Sequence, residues 1–209
     1  MLALVGQALV DMEAGGATIV DSVDIPALDS LLEAFPRIPR FRYDFDAYLA
    51  TRPEVARRTM AEILDSGDFH PWLRSSLQSA VDEEYEGAPQ DHEEWGAWVQ
   101  ATIDLGDAVL SAMEAAGVDV LVYPTYNYPA RLIGDLNTTY GANSGTLSPP
   151  TGFPAFNVPM GFVGESLPSG LQILGKPFAE GTMIEIAYGY ERATMHRRPP
   201  ASTPPLPRR

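Results

Sequence analysis

The sequence has no cysteine and only one lysine, Lys176, among its 209 residues. The absence of cysteine excludes disulfides, thiolate nucleophiles and metal sites with cysteine ligands. The three histidines, His70, His92 and His196, lie far apart in the chain and form no pair with metal-ligand spacing. We therefore predict that the protein holds no metal ion and uses no cofactor.

Positive charge is also scarce, because 14 basic residues stand against 28 acidic ones and the formal net charge is −14. Proteins that bind nucleic acid neutralise phosphates with basic groups, so we predict no nucleic-acid partner. No apolar run reaches the length of a membrane-spanning helix, and the first residues lack the positive segment of a signal peptide. We therefore expect a cytoplasmic protein with no membrane contact.

The hydrophobic spacing predicts an α/β fold. The predicted helices cover residues 1–14, 43–51, 54–65, 72–85, 91–116 and 181–195, and the predicted strands cover 17–20, 118–123, 156–162 and 170–175. Residues 118–123 are almost continuously apolar, which is typical of a strand buried on both faces of a parallel sheet. The chain opens on a helix with no strand before it, which suggests that part of the domain lies upstream.

Two well-known catalytic patterns fail in this sequence. Residues 170–177 match a phosphate-binding loop in their glycines and lysine, but Pro177 stands where a hydroxyl residue is required. No Gly-x-Ser-x-Gly motif is present, so an α/β-hydrolase nucleophile is not supported. The sequence contains no self-contained catalytic site of these types.

Several motifs in the last third of the chain occur in a fixed order. They are Asp-Val-Leu-Val-Tyr-Pro-Thr at 119–125, Gly-Phe-Pro-Ala at 152–155, Val-Pro-Met-Gly-Phe at 158–162, Leu-Pro-Ser-Gly-Leu-Gln-Ile-Leu-Gly at 167–175 and Ala-Tyr-Gly-Tyr-Glu at 187–191. In this order they resemble the C-terminal end of amidase-signature enzymes. The resemblance implies that residues 1–196 are the C-terminal portion of the amidase-signature fold, a mixed sheet covered by helices. Residues 197–209, rich in proline and arginine, are predicted to form a disordered tail.

The resemblance implies hydrolysis of the C–N bond of a linear carboxamide. Amidase-signature enzymes use a serine nucleophile, a second serine in a cis peptide and a lysine, all in the N-terminal half of the domain. No residue of this chain matches them, since Lys176 corresponds to a basic residue after the last hairpin. We therefore assign no catalytic residue and expect the chain to be inactive alone. Its expected partners are the missing N-terminal half or a second copy, with a small amide as substrate.

The resemblance also implies that the loop at 140–151 borders the substrate channel, with Thr146, Ser148 and Thr151 as candidates for lining it. The alternative is that this glycine- and proline-rich loop only packs against its surroundings. An improvised dyad of Lys176 with Ser144 or Ser148 is disfavoured, because a solvated lysine is charged and cannot act as a base. Two other interpretations remain open for the whole chain: a non-catalytic amidase-like interaction module, or a truncated gene product.

Overall fold

A computed structural model describes the whole chain apart from residues 39, 84–86, 136, 140, 201 and 204–209. In the described part the helices are α1 (Leu2–Ala14), α2 (Leu28–Glu33), α3 (Phe41–Ala50), α4 (Met60–Ser66), α5 (Arg74–Val81), α6 (Trp95–Ala116), α7 (Ser148–Thr151) and α8 (Glu180–Thr194), and the strands are β1 (Val120–Pro124), β2 (Ala155–Val163) and β3 (Leu167–Gly175). Short 3₁₀ turns occupy Pro71–Leu73 and Pro89–Asp91. The α/β class is therefore confirmed.

The chain divides into two compact units. The first comprises Met1–Leu28 and Asp104–Arg209 and contains the whole sheet, whereas the second comprises Asp29–Ile103 and is helical. No helix in the described part of the chain combines the length and the apolar character needed to cross a bilayer.

The sheet has the strand order β1-β3-β2, and both pairings are antiparallel. β2 and β3 form a hairpin, and β1 adds to the far side of β3 with Val122 opposite Ile173. The prediction of a parallel, doubly buried strand at 118–123 is therefore wrong. β1 is only partly buried along its length, and among the described residues its outer edge has no strand partner. Its apolar sequence reflects one packed face and not two.

The core of the first unit lies on one face of this sheet. Alternate residues of β2 and β3 point to the same side, and there they meet apolar residues one or two turns apart on α1 and α8. The buried cluster consists of Ala8, Met12, Val158, Met160, Leu171, Ile173, Met183 and Tyr190. Burying a large apolar side chain contributes about 1.5–3 kcal/mol, so this cluster fixes which face of each strand points inward.

Most of the predicted elements are confirmed. The helices at 1–14, 91–116 and 181–195 correspond to α1, α6 and α8, and the strands at 156–162 and 170–175 correspond to β2 and β3. In α6, Leu105 and Val109 are fully inaccessible and Ala112 is buried, and these residues recur at the three- and four-residue spacing of one helix face. The short helices predicted at 43–51, 54–65 and 72–85 correspond to α3, α4 and α5.

One predicted strand is not formed and one predicted helix begins later than expected, each for a local reason. The strand predicted at 17–20 is not formed. β-branched residues make a strand only when a neighbouring strand supplies hydrogen bonds, and no strand in the described part of the chain pairs with this segment. α4 begins at Met60 and not near 54, because Thr59 caps it: its hydroxyl accepts a hydrogen bond from the Glu62 N–H at 3.1 Å. The Glu62 carboxylate in turn accepts from the Arg58 N–H at 2.6 Å.

The predicted disordered tail at 197–209 falls largely outside the described residues and stays a prediction. Its described beginning makes a defined contact, since the guanidinium of Arg198 lies 3.8 Å from the ring centre of Phe162 on β2. The same guanidinium donates a hydrogen bond to the Glu165 carbonyl at 3.4 Å. These contacts hold residue 198 against the β2–β3 hairpin.

Gly175, the last residue of β3, has no room for a side chain. A Cβ atom there would lie 2.3 Å from the sulfur and 2.8 Å from Cγ of Met183, which is fully buried. We expect Gly175→Ala to lower the free energy of unfolding by about 1–3 kcal/mol, measured by urea denaturation. Gly189→Ala is the matched control, because its Cβ meets nothing within 4 Å and alanine favours the helix by about 0.5–1 kcal/mol. Equal stability of Gly175→Ala and wild type would contradict this packing.

Candidate functional site

The second face of the sheet carries a row of polar side chains. Tyr123 of β1, Gln172 of β3 and Asn157 of β2 lie opposite one another in the register of the three strands. Their neighbours Val122, Ile173 and Phe156 belong to the core or pack against it, so alternation directs the polar row to the other side. We call Tyr123, Gln172 and Asn157 the polar row.

One end of this face is closed by a hydrogen bond between Asn157 and Thr125. The Asn157 side-chain amide donates to the Thr125 hydroxyl at 2.7 Å, and Thr125 is buried with 5% of its surface exposed. The backbone N–H of Thr125 donates to the Gly170 carbonyl at 2.9 Å, which continues the pairing of β1 with β3 beyond its last assigned residue. Thr125 therefore ties β1 to both other strands.

Gly170 lies directly beneath this pair. A Cβ atom at position 170 would come within 2.2 Å of Asn157 Oδ1 and 2.8 Å of Thr125 Oγ1. Because Gly170 has no side chain, Asn157 of β2 can reach across β3 and form its hydrogen bond with Thr125 at the end of β1. This is a steric reason for the glycine in the motif at 167–175.

The middle of the polar row is held by Gln172. Its side-chain amide donates to the Tyr123 hydroxyl and to the Ser144 carbonyl, each at 3.3 Å, and Gln172 is buried. Burial raises the pKa of Tyr123, and the hydrogen bond from Gln172 only partly counters this. The phenol therefore stays neutral at physiological pH, and the row presents uncharged donors and acceptors.

The loop that follows β1 is anchored to the strand end by Asn143. Its backbone N–H donates to the Thr125 carbonyl at 2.9 Å, and its side-chain amide donates to the Pro124 carbonyl at 2.8 Å and to Asn127 Oδ1 at 2.9 Å. Asn127 N–H donates to the Gly141 carbonyl at 2.8 Å. The two ends of the excursion between residues 127 and 141 are thereby joined beside the polar row.

The structure places Thr146, Ser148 and Thr151 together in the loop before β2. Ser148 begins α7, and its hydroxyl donates to the Phe153 carbonyl at 2.7 Å. The Thr151 hydroxyl donates to the Leu147 carbonyl at 2.7 Å and accepts from the Phe153 N–H at 3.2 Å. Thr146 is partly exposed. Two of these three hydroxyls therefore fix the loop backbone, and contact with a substrate stays a prediction for all three.

The geometry gives no support to a dyad between Ser148 and Lys176. The Ser148 hydroxyl hydrogen is directed at a backbone carbonyl, which cannot accept it as a base would. Lys176 follows the end of β3 and is partly exposed to solvent. Among the residues that the structure describes, no cluster of histidine, aspartate or glutamate could hold a metal ion.

Tyr123 and Thr125 belong to the motif at 119–125 identified from the sequence, whereas Asn143, Asn157 and Gln172 were not predicted as site residues. Asn157 and Gln172 each interrupt an otherwise apolar strand, which is a usable signal. Their meeting with Tyr123 depends on the register of three strands, and residues 120–124 are far from the hairpin in sequence. Asn143 belongs to an irregular loop, where no periodic pattern indicates a position.

Comparison with known proteins gives a consistent result. A family model described as Amidase matches residues 1–184. A probable amidase of Arabidopsis thaliana is 25% identical over 202 residues, which cover 88% of this chain and 35% of that protein. A component of the glutamyl-tRNA(Gln) amidotransferase of Desulforudis audaxviator is 41% identical over 92 residues, which cover 41% of this chain and 18% of that protein.

The fold also matches a solved structure. The native peptide amidase of Stenotrophomonas maltophilia superimposes with a TM-score of 0.69 at 24% identity, over 96% of this chain and 41% of that chain. At this identity the match shows a shared fold. The chain thus spans well under half the length of the relatives that it matches.

The closure over Gly170 can be tested by adding one methyl group. We expect Gly170→Ala to cost about 1–3 kcal/mol of unfolding free energy, because it forces apart the Asn157–Thr125 hydrogen bond. Gly145→Ala in the neighbouring loop meets nothing within 4 Å and should change stability by less than about 0.5 kcal/mol. In a double-mutant cycle, Asn157→Ala should relieve part of the Gly170→Ala cost. Strictly additive effects would show that the methyl group and Asn157 do not meet.

Proposed function

The chain belongs to the Amidase family, and on that premise we propose that it forms the C-terminal portion of a complete amidase-signature enzyme that hydrolyses the C–N bond of a linear carboxamide. The observation that supports this proposal is that the family motifs form the three neighbouring strands of one sheet. The motifs at 119–125, 152–162 and 167–175 form β1, β2 and β3, and their non-core side chains converge in the polar row. The match over residues 1–184 supports the same assignment.

We infer that this chain does not itself supply the groups that amide hydrolysis by a serine enzyme requires. A serine hydroxyl attacks a carbonyl only when a base removes its proton, and a lysine is such a base only in its neutral form. Donors must also stabilise the oxyanion that forms. The single lysine is partly exposed, and the loop serine Ser148 is hydrogen-bonded to a carbonyl. We therefore propose that the catalytic lysine and serines come from polypeptide outside these 209 residues.

The polar row and its loop would then border the substrate without reacting with it. Tyr123, Gln172 and Asn157 present neutral hydrogen-bonding groups, and residues 141–151 are fixed beside them by Asn143, Ser148 and Thr151. In this arrangement Ser148 and Thr151 shape the loop through hydrogen bonds to its backbone carbonyls, and all three candidates are partly exposed. Neutral donors and acceptors suit an uncharged carboxamide group better than an ionised one.

The surface of the first unit supports the expectation of a covering partner. Leu132 and Ile133 are adjacent and almost wholly exposed, and Phe178 is 95% exposed. Exposed apolar side chains of this size and an unpaired strand edge such as that of β1 favour association. We propose that the remainder of an amidase-signature domain covers this surface in a complete enzyme, and that the chain alone associates with itself.

Two alternatives share the same fold. A non-catalytic interaction module would keep the polar row and loop but would have no catalytic complement, and a truncated gene product would have neither role. The likeness to the amidotransferase component covers only 41% of the chain, so it does not by itself extend to that assembly. Activity measurements on the chain with and without an added N-terminal portion separate these possibilities.

We expect the purified chain to release no ammonia from simple primary amides. A chimera that places the N-terminal portion of the Stenotrophomonas peptide amidase before residue 1 should hydrolyse them. In that chimera Ser148→Ala should retain activity while losing about 1 kcal/mol of stability, because Ser148 only donates a hydrogen bond to a loop carbonyl. Hydrolysis by the isolated chain, abolished by Ser148→Ala, would refute the assignment of catalysis to outside residues. A folded but inactive chimera would favour the interaction module.

The expectation of self-association has its own test. Light scattering after size-exclusion chromatography should give a mass above the monomer value of 22.7 kDa for the isolated chain. The double variant Leu132→Ser/Ile133→Ser removes the most exposed adjacent aliphatic pair and should shift the distribution towards monomer. Val99→Ser is the control, because Val99 is exposed and lies in the second unit. Serine at the buried residues Leu171 and Ile173 would unfold the core and would not serve as a control. A monomeric wild-type chain would contradict the expectation.

A further inference from the structure

A cavity of about 250 Å³ lies at the C-terminal end of α8. Pro159 of β2, Tyr188 and Met195 line it with apolar surface, and Tyr188 and Met195 are largely exposed to solvent. Met195 adopts a left-handed conformation with φ 49°, which ends α8 and turns the chain. The helix end and the three residues after it therefore form one concave surface.

The rim of this cavity carries Arg192, His196 and Arg197 on the basic side and Glu191 on the acidic side. All four lie beyond residue 184, where the family match ends. His196 also holds the segment to α1, since its Nε2 lies 3.6 Å from Asp11 Oδ2. With His196 counted as neutral, as in the formal net charge of −14, the rim carries two positive charges, Arg192 and Arg197, against one negative charge, Glu191.

Arg192 and Arg197 differ from the other arginines that the structure describes. Neither makes a hydrogen bond, an ion pair or a ring contact with any described residue. Every other described arginine has such a contact: an ion pair for Arg37, Arg40, Arg42 and Arg57, a backbone carbonyl for Arg58 and Arg131, and an aromatic ring for Arg52, Arg74 and Arg198. Two exposed guanidinium groups without a partner among the described residues therefore line the same cavity.

The ligand that fits these features has an anionic group and a small apolar body. A guanidinium offers paired donors that match a carboxylate, and an aromatic and a methionine side chain accept an apolar ring. Pockets for larger ligands usually exceed about 300 Å³, so a compact molecule is indicated. We propose that this cavity is a binding site for a small organic carboxylate, with Arg192 and Arg197 holding the carboxylate and Tyr188 and Met195 contacting the body.

The test uses the full chain with benzoate as the probe and benzamide as its uncharged counterpart, titrated by isothermal calorimetry or NMR near pH 7. Benzoate should bind and benzamide should bind at least roughly tenfold more weakly, because only benzoate forms charge-assisted hydrogen bonds. Arg192→Gln and Arg197→Gln should each weaken benzoate binding by several-fold up to about tenfold. Glu191→Gln should strengthen it, since it removes a like charge from the rim.

The controls distinguish a built site from general attraction to positive charge. Arg52→Gln in the second unit, where Arg52 stacks on Tyr48, should leave benzoate binding unchanged. Inorganic phosphate should bind more weakly than benzoate, because it has no apolar body to contact Tyr188 and Met195. Tighter binding of phosphate would contradict the proposal that the ligand is an organic carboxylate. Equal binding of benzoate and benzamide, or unchanged benzoate binding in the Arg192→Gln/Arg197→Gln variant, would overturn the proposal. None of these measurements depends on amide hydrolysis.

Discussion

The register of the three strands is the constraint on which the rest of the first unit depends. With Val122, Ile173 and Phe156 aligned, one face of the sheet is apolar and packs against α1 and α8. Because side chains alternate along a strand, the neighbouring residues Tyr123, Gln172 and Asn157 then lie on the other face. A slip of one residue in any strand would bury a polar row and expose the core, so the free energy of the apolar face also positions the candidate site.

The polar face shows how that position is made specific. Thr125 joins β1 to the hairpin through its backbone and its hydroxyl, and Gly170 leaves the space that the hydroxyl contact needs. Asn143 then anchors the loop to the same strand end. A buried polar group without a partner costs more than a hydrogen bond gains, so this closed set of contacts keeps the face in one arrangement.

Much of this fold could be predicted from the sequence, and the reasons for success and failure are local. The long helices and the hairpin were predicted because their apolar residues recur at helical or strand spacing. The predictions for residues 17–20 and for β1 were wrong, because strand formation and strand direction depend on which strand lies alongside. Ser148 and Thr151 were predicted to line a substrate channel because of the family resemblance of their loop, but their hydroxyls donate to loop carbonyls that no sequence pattern reveals. Asn143, Asn157 and Gln172 required the register of distant strands.

The strand order has a consequence for the route by which the chain folds. β2 and β3 are joined by a tight turn, so the hairpin forms from contacts between sequence neighbours. β1 reaches β3 only by closing a loop of about fifty residues, because Val122 pairs with Ile173. The hairpin should therefore assemble early and β1 should dock late, in the step that also creates the polar face. During synthesis or refolding, the outer edge of β3 would remain open to other strands until β1 arrives.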